Sequence, residues 1–216
     1  MRFHTIEYAN SDLPESMVFE DGNPQKRIPI AFIVYCIQTE GRTILVDAGC
    51  DTMPGFDMHD FIGPVNALLQ NGISPDAVTD VILTHSHHDH AEAVAHFGNA
   101  TVHVQREEYE KAKRYIPASM RVKLFDDSLS LTDQITVQCV GGHSRGSSVV
   151  KIHDNGQKLL IVGDECYSRE CFLQNRLTGA SRFPEKSRAF LNEHRTSPYT
   201  LLFCHDRVPL LVEEKG

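Results

Sequence analysis

Four of the chain's 12 histidines fall in one short tract, Thr84-His85-Ser86-His87-His88-Asp89-His90. Neutral imidazole and carboxylate are standard ligands for zinc and similar divalent ions. The tract directly follows Asp80-Val81-Ile82-Leu83, a short apolar run that reads as a buried β-strand. Side chains alternate along an extended segment, so His85 and His87 lie on one side and can grip one ion together. Asp89 and His90 come next, where the chain must turn into a helix over residues 91–97, and can grip a second. A solvated histidine-rich loop is the plain alternative. The full HxHxDH order directly after a strand argues against it.

A metal site needs more than one loop, and three further ligand-type residues stand where apolar strands end. His143 follows Ile135 to Val140 in Gly141-Gly142-His143-Ser144, with glycines that let the backbone turn tightly. Asp164 follows Leu159-Leu160-Ile161-Val162-Gly163, and His205 follows Leu201-Leu202-Phe203-Cys204. Any one of them alone reads more simply as a cap or a turn residue. Together with the first cluster they point to one centre.

The elements that must position these residues alternate strand and helix. Strands are expected at 30–37 and 43–46, joined through Glu40-Gly41, and the second runs into Asp47-Ala48-Gly49. A helix from Pro64 to Gln70 places Val65, Leu68 and Leu69 on one face and stops at Asn71-Gly72. After the metal strand come a strand at 101–104 and a charged helix from Arg106 to about Tyr115. The second half reads as strands at 135–140, 148–152, 158–162 and 200–204, with a helix at 185–194. No repeat or linker divides the chain, so a single domain over 1–216 is expected.

Composition bounds the function. With 41% hydrophobic and 23% charged residues the chain has ordinary globular composition. A net charge of −8 disfavours an extended phosphate-binding surface, so no nucleic-acid partner is expected. No apolar run approaches a bilayer span, and the first residues lack the apolar stretch of a secretory signal. The six cysteines are scattered without a CxxC, as reduced thiols in a cytoplasmic protein would be.

With its HxHxDH tract followed in order by His143, Asp164 and His205, the chain resembles the metallo-β-lactamase superfamily from about Ile30 to Asp206. The resemblance implies an α/β fold, a four-layer αββα sandwich with the metals at one edge between the sheets. It implies that His85, His87 and His143 hold one divalent ion, that Asp89, His90 and His205 hold a second, and that Asp164 bridges them. Zinc is the first choice, and iron, manganese and cobalt accept the same ligands. Asp47 matches a position that orients ligands, and His88 a variable one. His4, His59, His96, His103, His153 and His194 match nothing.

Within the superfamily the chain is most similar to N-acyl-homoserine lactonases and related lactone hydrolases. Tyr167 stands three residues after Asp164, where those enzymes place a tyrosine hydroxyl against the substrate carbonyl. Phe203-Cys204-His205-Asp206 and Val104-Gln105-Arg106-Glu107-Glu108-Tyr109 also look like segments of theirs. Two features depart: Ser147 stands where a second histidine often follows, and the segment between Asp47 and His85 is short. The resemblance implies a small-molecule lactone or ester opened by hydroxide held between two ions, with Tyr167 steadying the oxyanion and Asp89 or Asp164 relaying a proton. A monomer or a homodimer would serve.

Rival readings use the same residues. A glyoxalase-II-like thioesterase would need the same seven ligands, and a mononuclear iron persulfide dioxygenase resembles this fold. Gly142-His143-Ser144-Arg145-Gly146 fits Gly-x-Ser-x-Gly, and Ser144, Asp164 and His205 follow the order of a serine-hydrolase triad. That motif requires a helix directly after the serine, whereas residues 148–152 read as a strand.

Overall fold

The strand that carries the histidine tract is an interior strand of a seven-stranded sheet. A computed structural model describes residues 1–39, 41–52 and 57–207. This first sheet comprises β1 (Arg2–Pro14), β2 (Arg27–Thr39), β3 (Arg42–Val46), β4 (Met58–His59), β5 (Asp80–Leu83), β6 (Thr101–Gln105) and β7 (Arg121–Phe125), in the order β4-β1-β2-β3-β5-β6-β7. The second comprises β8 (Ser128–Ser130), β9 (Ile135–Cys139), β10 (Ser148–Asp154), β11 (Gln157–Ile161) and β12 (Thr200–Leu202), in the order β12-β11-β10-β9-β8. The α-helices are α1 (Glu15–Val18), α2 (Pro64–Gln70), α3 (His88–Ala91), α4 (Arg106–Ala112), α5 (Arg169–Gln174) and α6 (Pro184–His194).

The uninterrupted apolar run of β2 has a simple cause, since both of its faces are covered. Ala31, Ile33, Tyr35 and Ile37 join Ile82, Val137, Val150 and Ile161 in the core between the sheets. Phe32, Val34 and Cys36 belong instead to the core that includes Leu68 of α2, and Phe97. On the outside of the second sheet, Leu160 joins Phe190 and Leu191 of α6 in that core. The layers are helix, sheet, sheet, helix, as the resemblance implied.

Pairing direction then gathers the site. β3, β5, β6 and β7 run parallel, so the segments after β3 and β5, bearing Asp47 and residues 84–90, leave the same edge. β9 and β11 are each antiparallel to β10, and β12 is parallel to β11. Their carboxyl ends therefore share an edge too, and bear His143, Asp164 and His205. Backbone bonds stitch the sheets together beside it: Ser148 donates to Thr84 (2.9 Å) and Ile33 to Cys204 (3.0 Å).

Three expectations need correction. Leu69 is 53% exposed, because the packed face of α2 runs through Pro64, Ala67 and Leu68 and leaves Leu69 about 100° further round. The helix after the histidine tract is a short α-turn over His88–Ala91 continued by a 3₁₀ turn over Glu92–His96. The charged helix from Arg106 ends at Ala112, three residues early. The β2–β3 connection carries Gly41 at φ 71°, as a turn there requires, and Glu40 lies outside the described residues.

Candidate metal centre

Ring nitrogens of three histidines from two loops meet at one point. His87 Nδ1 lies 2.9 Å from His85 Nε2 and 2.9 Å from His143 Nε2. Asp164 Oδ2 completes the group, 3.5 Å from His85 Nε2 and 3.3 Å from His143 Nε2. Asp89, His90 and His205 form a second group, with Asp89 Oδ2 3.4 Å from His90 Nε2 and 3.6 Å from His205 Nε2. Asp164 reaches this group as well. Its other oxygen, Oδ1, stands 3.2 Å from both His90 Nε2 and His205 Nε2. Zinc–nitrogen bonds of about 2.0–2.1 Å separate the ligands of a tetrahedral ion by roughly 3.4 Å, so both groups have the spacing of ligand sets. All seven residues named from the sequence are thus brought together, and His88 is outside both groups, its ring meeting the Thr52 carbonyl and the Tyr115 hydroxyl.

The rings are held by their outer nitrogens. His205 Nδ1 donates to the Ala31 carbonyl (2.9 Å), which leaves its Nε2 lone pair facing inward. Asp47 Oδ2 takes His90 Nδ1–H at 2.8 Å and the Thr84 hydroxyl at 2.9 Å. Thr84 Oγ1 in turn accepts from His85 Nδ1 (3.1 Å), and the Thr84 amide donates to Asp47 Oδ1 (2.7 Å). Asp47 adopts φ 62°, a left-handed conformation that aspartate tolerates better than most residues. It therefore fixes the His90 ring directly and the His85 ring through Thr84, without joining either group. Thr84 escaped the sequence reading because its part is visible only through Asp47.

A cation fits the chemistry of these atoms. His90 Nε2 and Asp164 Oδ1 are buried without a hydrogen-bond partner among the described residues. Such orphaned atoms are costly unless something else satisfies them. Burial pushes His85 well below the ordinary histidine value and His143 down to about 4, so both rings are neutral donors of lone pairs near neutrality. Burial works against the charge of Asp164, but His90 and His205 beside it hold its carboxyl well below the usual carboxylate range.

Tyr167 packs against both groups. Its ring meets His205 edge-on at 4.9 Å between centroids and lies 6.1 Å from His143. Burial, with Asp164 and Asp89 nearby, keeps its phenol protonated far above the ordinary tyrosine value, and therefore a donor. The serine-triad alternative fails on geometry. Ser144 is followed within four residues by β10, and its hydroxyl donates to Glu108 at 2.7 Å. Glu108 itself was not singled out from the sequence. It also accepts the Ser86 amide (3.0 Å) and hydroxyl (2.5 Å) and the Gly146 amide (2.9 Å), tying the His85/His87 loop to the His143 loop.

The remaining histidines are accounted for elsewhere. His103 is buried against Asp80 at 2.8 Å, and His194 donates to the Phe190 carbonyl at 2.9 Å. His4, His59, His96 and His153 pair with Gln38, Asp12, Asp51 and Tyr199. All six cysteines are free; Cys204 packs in the core between the sheets, and the Cys166 thiol donates to the Ser168 carbonyl at 3.4 Å.

The model of the metallo-β-lactamase superfamily matches residues 33–205. The chain belongs to the metallo-β-lactamase superfamily. The N-acyl homoserine lactonase AiiA of Bacillus thuringiensis subsp. kurstaki is 28% identical over 187 residues, with 74% of each chain covered. A quorum-quenching N-acyl homoserine lactone lactonase of known structure superposes with a TM-score of 0.81 at 26% identity, covering 95% of this chain and 92% of the other. AidC, a dizinc quorum-quenching lactonase solved with its product N-hexanoyl-L-homoserine, shares the fold at a TM-score of 0.78 and 20% identity, with 99% and 92% covered. With such relatives, the chain is a hydrolase of the superfamily, and its paired His/Asp groups suit two divalent ions. No helix among the described residues is long and apolar enough to cross a membrane.

Proposed function

We propose that the chain is a binuclear metal-dependent lactonase, a single hydrolase domain over residues 1–216, with N-acyl homoserine lactones as the first substrates to test. The observation that carries this reading is the Asp164 carboxylate, one oxygen toward each ligand group, with Tyr167 beside both. His85, His87 and His143 would hold one ion and Asp89, His90 and His205 the other, shared through Asp164; zinc is our assignment. Bound there, two divalent ions supply a water of near-neutral pKa and polarise a carbonyl.

The chain's own residues do the rest. Tyr167, packed against His205 and near His143 and kept protonated by burial, donates to the carbonyl oxygen as negative charge gathers on it. Asp89 is the more accessible carboxylate, 17% exposed against 3% for Asp164. It takes the proton that the attacking water gives up as its oxygen bonds to the carbonyl carbon, and hands that proton to the alkoxide as the acyl C–O bond of the ring breaks, leaving a hydroxy acid. AiiA, an N-acyl homoserine lactonase 28% identical to this chain over 187 residues, supports the lactone class.

Metal-loaded protein should be offered lactones, thioesters, phosphodiesters and β-lactams in parallel, with products identified by mass spectrometry. Lactone opening is the expected result. Rapid thioester cleavage with no lactone turned over would move the assignment to a glyoxalase-II-like thioesterase.

A further inference from the structure

His143 is held differently from the other buried ligands. His85, His90 and His205 are each fixed through the outer ring nitrogen, by Thr84, Asp47 and the Ala31 carbonyl. His143 Nδ1 is buried and finds no partner among the described residues. Its backbone is fixed instead. Glu165 Oε1 accepts the amides of Gly142 (3.1 Å) and His143 (3.2 Å) and the hydroxyl of Ser147, while Oε2 accepts the Ser187 hydroxyl at 2.7 Å. All four partners donate, which is the arrangement a carboxylate satisfies.

Glu165 is fully buried and directly follows Asp164 in the 3₁₀ turn Gly163–Glu165. One side chain therefore joins the Asp164 turn, the His143 loop and the first turn of α6. The loop is shaped to admit it. A Cβ on Gly142 would stand 2.4 Å from Glu165 Oε2 and 2.2 Å from Ser187 Oγ, so only glycine fits. Ser147, the residue that departs from the expected second histidine, is small enough to leave room for the carboxylate and bonds to it.

We propose that Glu165 is a positioning residue of the metal centre. It sets the place of His143 through the backbone, and with it the affinity of the His85/His87/His143 group for its ion. This rests on reading that group as a metal site.

Three variants separate geometry from charge. Glu165→Gln keeps a carbonyl oxygen for the two amides and turns its NH2 toward Ser187, whose hydroxyl can accept. Glu165→Asp keeps the charge but withdraws the carboxylate by one methylene. Glu165→Ala removes both. Cobalt(II) titration of the metal-free proteins, read by visible absorption and by chelator competition, reports each site separately. We expect Asp and Ala to weaken one of the two sites by roughly 10- to 100-fold, the usual effect of losing a residue that orients a ligand, with the other site kept. Gln should stay near wild type. A Gln variant as weak as Asp, or an Asp variant with both sites intact, would overturn the proposal. Should Ala fail to fold, the Gln–Asp contrast decides alone. If the wild type binds no cobalt, the metal-site reading itself fails; if it binds two ions and the variants do not differ, only the role of Glu165 does.

Discussion

Tyr167 brings a phenol against the rings of His205 and His143 while standing outside both His/Asp groups. Because it touches neither group as a ligand, its removal should separate chemistry from metal binding. Tyr167→Phe should lower kcat on a lactone by roughly 100- to 1000-fold, the range for losing one oxyanion donor, and by less if a metal ion carries most of the charge. Metal content, measured on the same sample, should not change. An unaltered kcat would remove the tyrosine from the mechanism. At this scale the sequence was most legible where a residue's chemistry is rare: histidine and aspartate after apolar strands, and Tyr167 close behind Asp164. Glu108, Glu165 and Thr84 were not legible. A glutamate that buries its carboxylate among amides and serine hydroxyls is, in sequence, the same letter as a solvated one.

At the scale of elements, α4 reaches the site through the Glu108 side chain. Glu108 ties Ser86 to Ser144 and Gly146, so the His85/His87 loop and the His143 loop depend on one buried carboxylate. Burial raises its pKa, but hydrogen bonds from Ser86, Ser144 and the Gly146 amide outweigh that and leave it below the ordinary value of 4.5. A carboxyl depressed in the folded state stabilises fully above its unfolded pKa and loses that contribution as pH falls. The stability gap between wild type and Glu108→Gln should therefore be largest near neutrality and shrink as pH drops below 4.5. Urea unfolding of the metal-free proteins at successive pH values measures it, and a gap that does not vary with pH would exclude an ionised Glu108. The strands β2, β5, β10 and β11 were readable because apolar runs of that length mean burial on both faces. β1 was not. A bulge between Glu7 and Ala9 shifts its register, leaving Tyr8 and Ala9 both buried and breaking the alternation that marks a strand. Two short helices escaped for a related reason: α1 and α5 are too brief for a 3.6-residue period to show.

For the whole molecule, the site is where the two sheets are joined. Proposed ligands from the first sheet (His85, His87, Asp89, His90) and from the second (His143, Asp164, His205) face each other across the edge. Bound ions would cross-link the halves and satisfy the buried Asp164, so metal should stabilise the entire fold. Chelation should lower the thermal midpoint and re-addition of zinc should restore it. A site filled at 100 times its Kd contributes about 2.7 kcal/mol. A midpoint indifferent to chelator in protein shown to have lost its metal would contradict this.

Stepwise zinc addition to metal-free protein, with lactone opening followed at each step, tests the two-ion centre most directly. Activity should reach its plateau only as occupancy approaches two ions per chain, and Asp164→Ala should gain neither ion tightly nor activity at any zinc concentration. Full activity in protein holding a single tightly bound ion would contradict the two-ion centre.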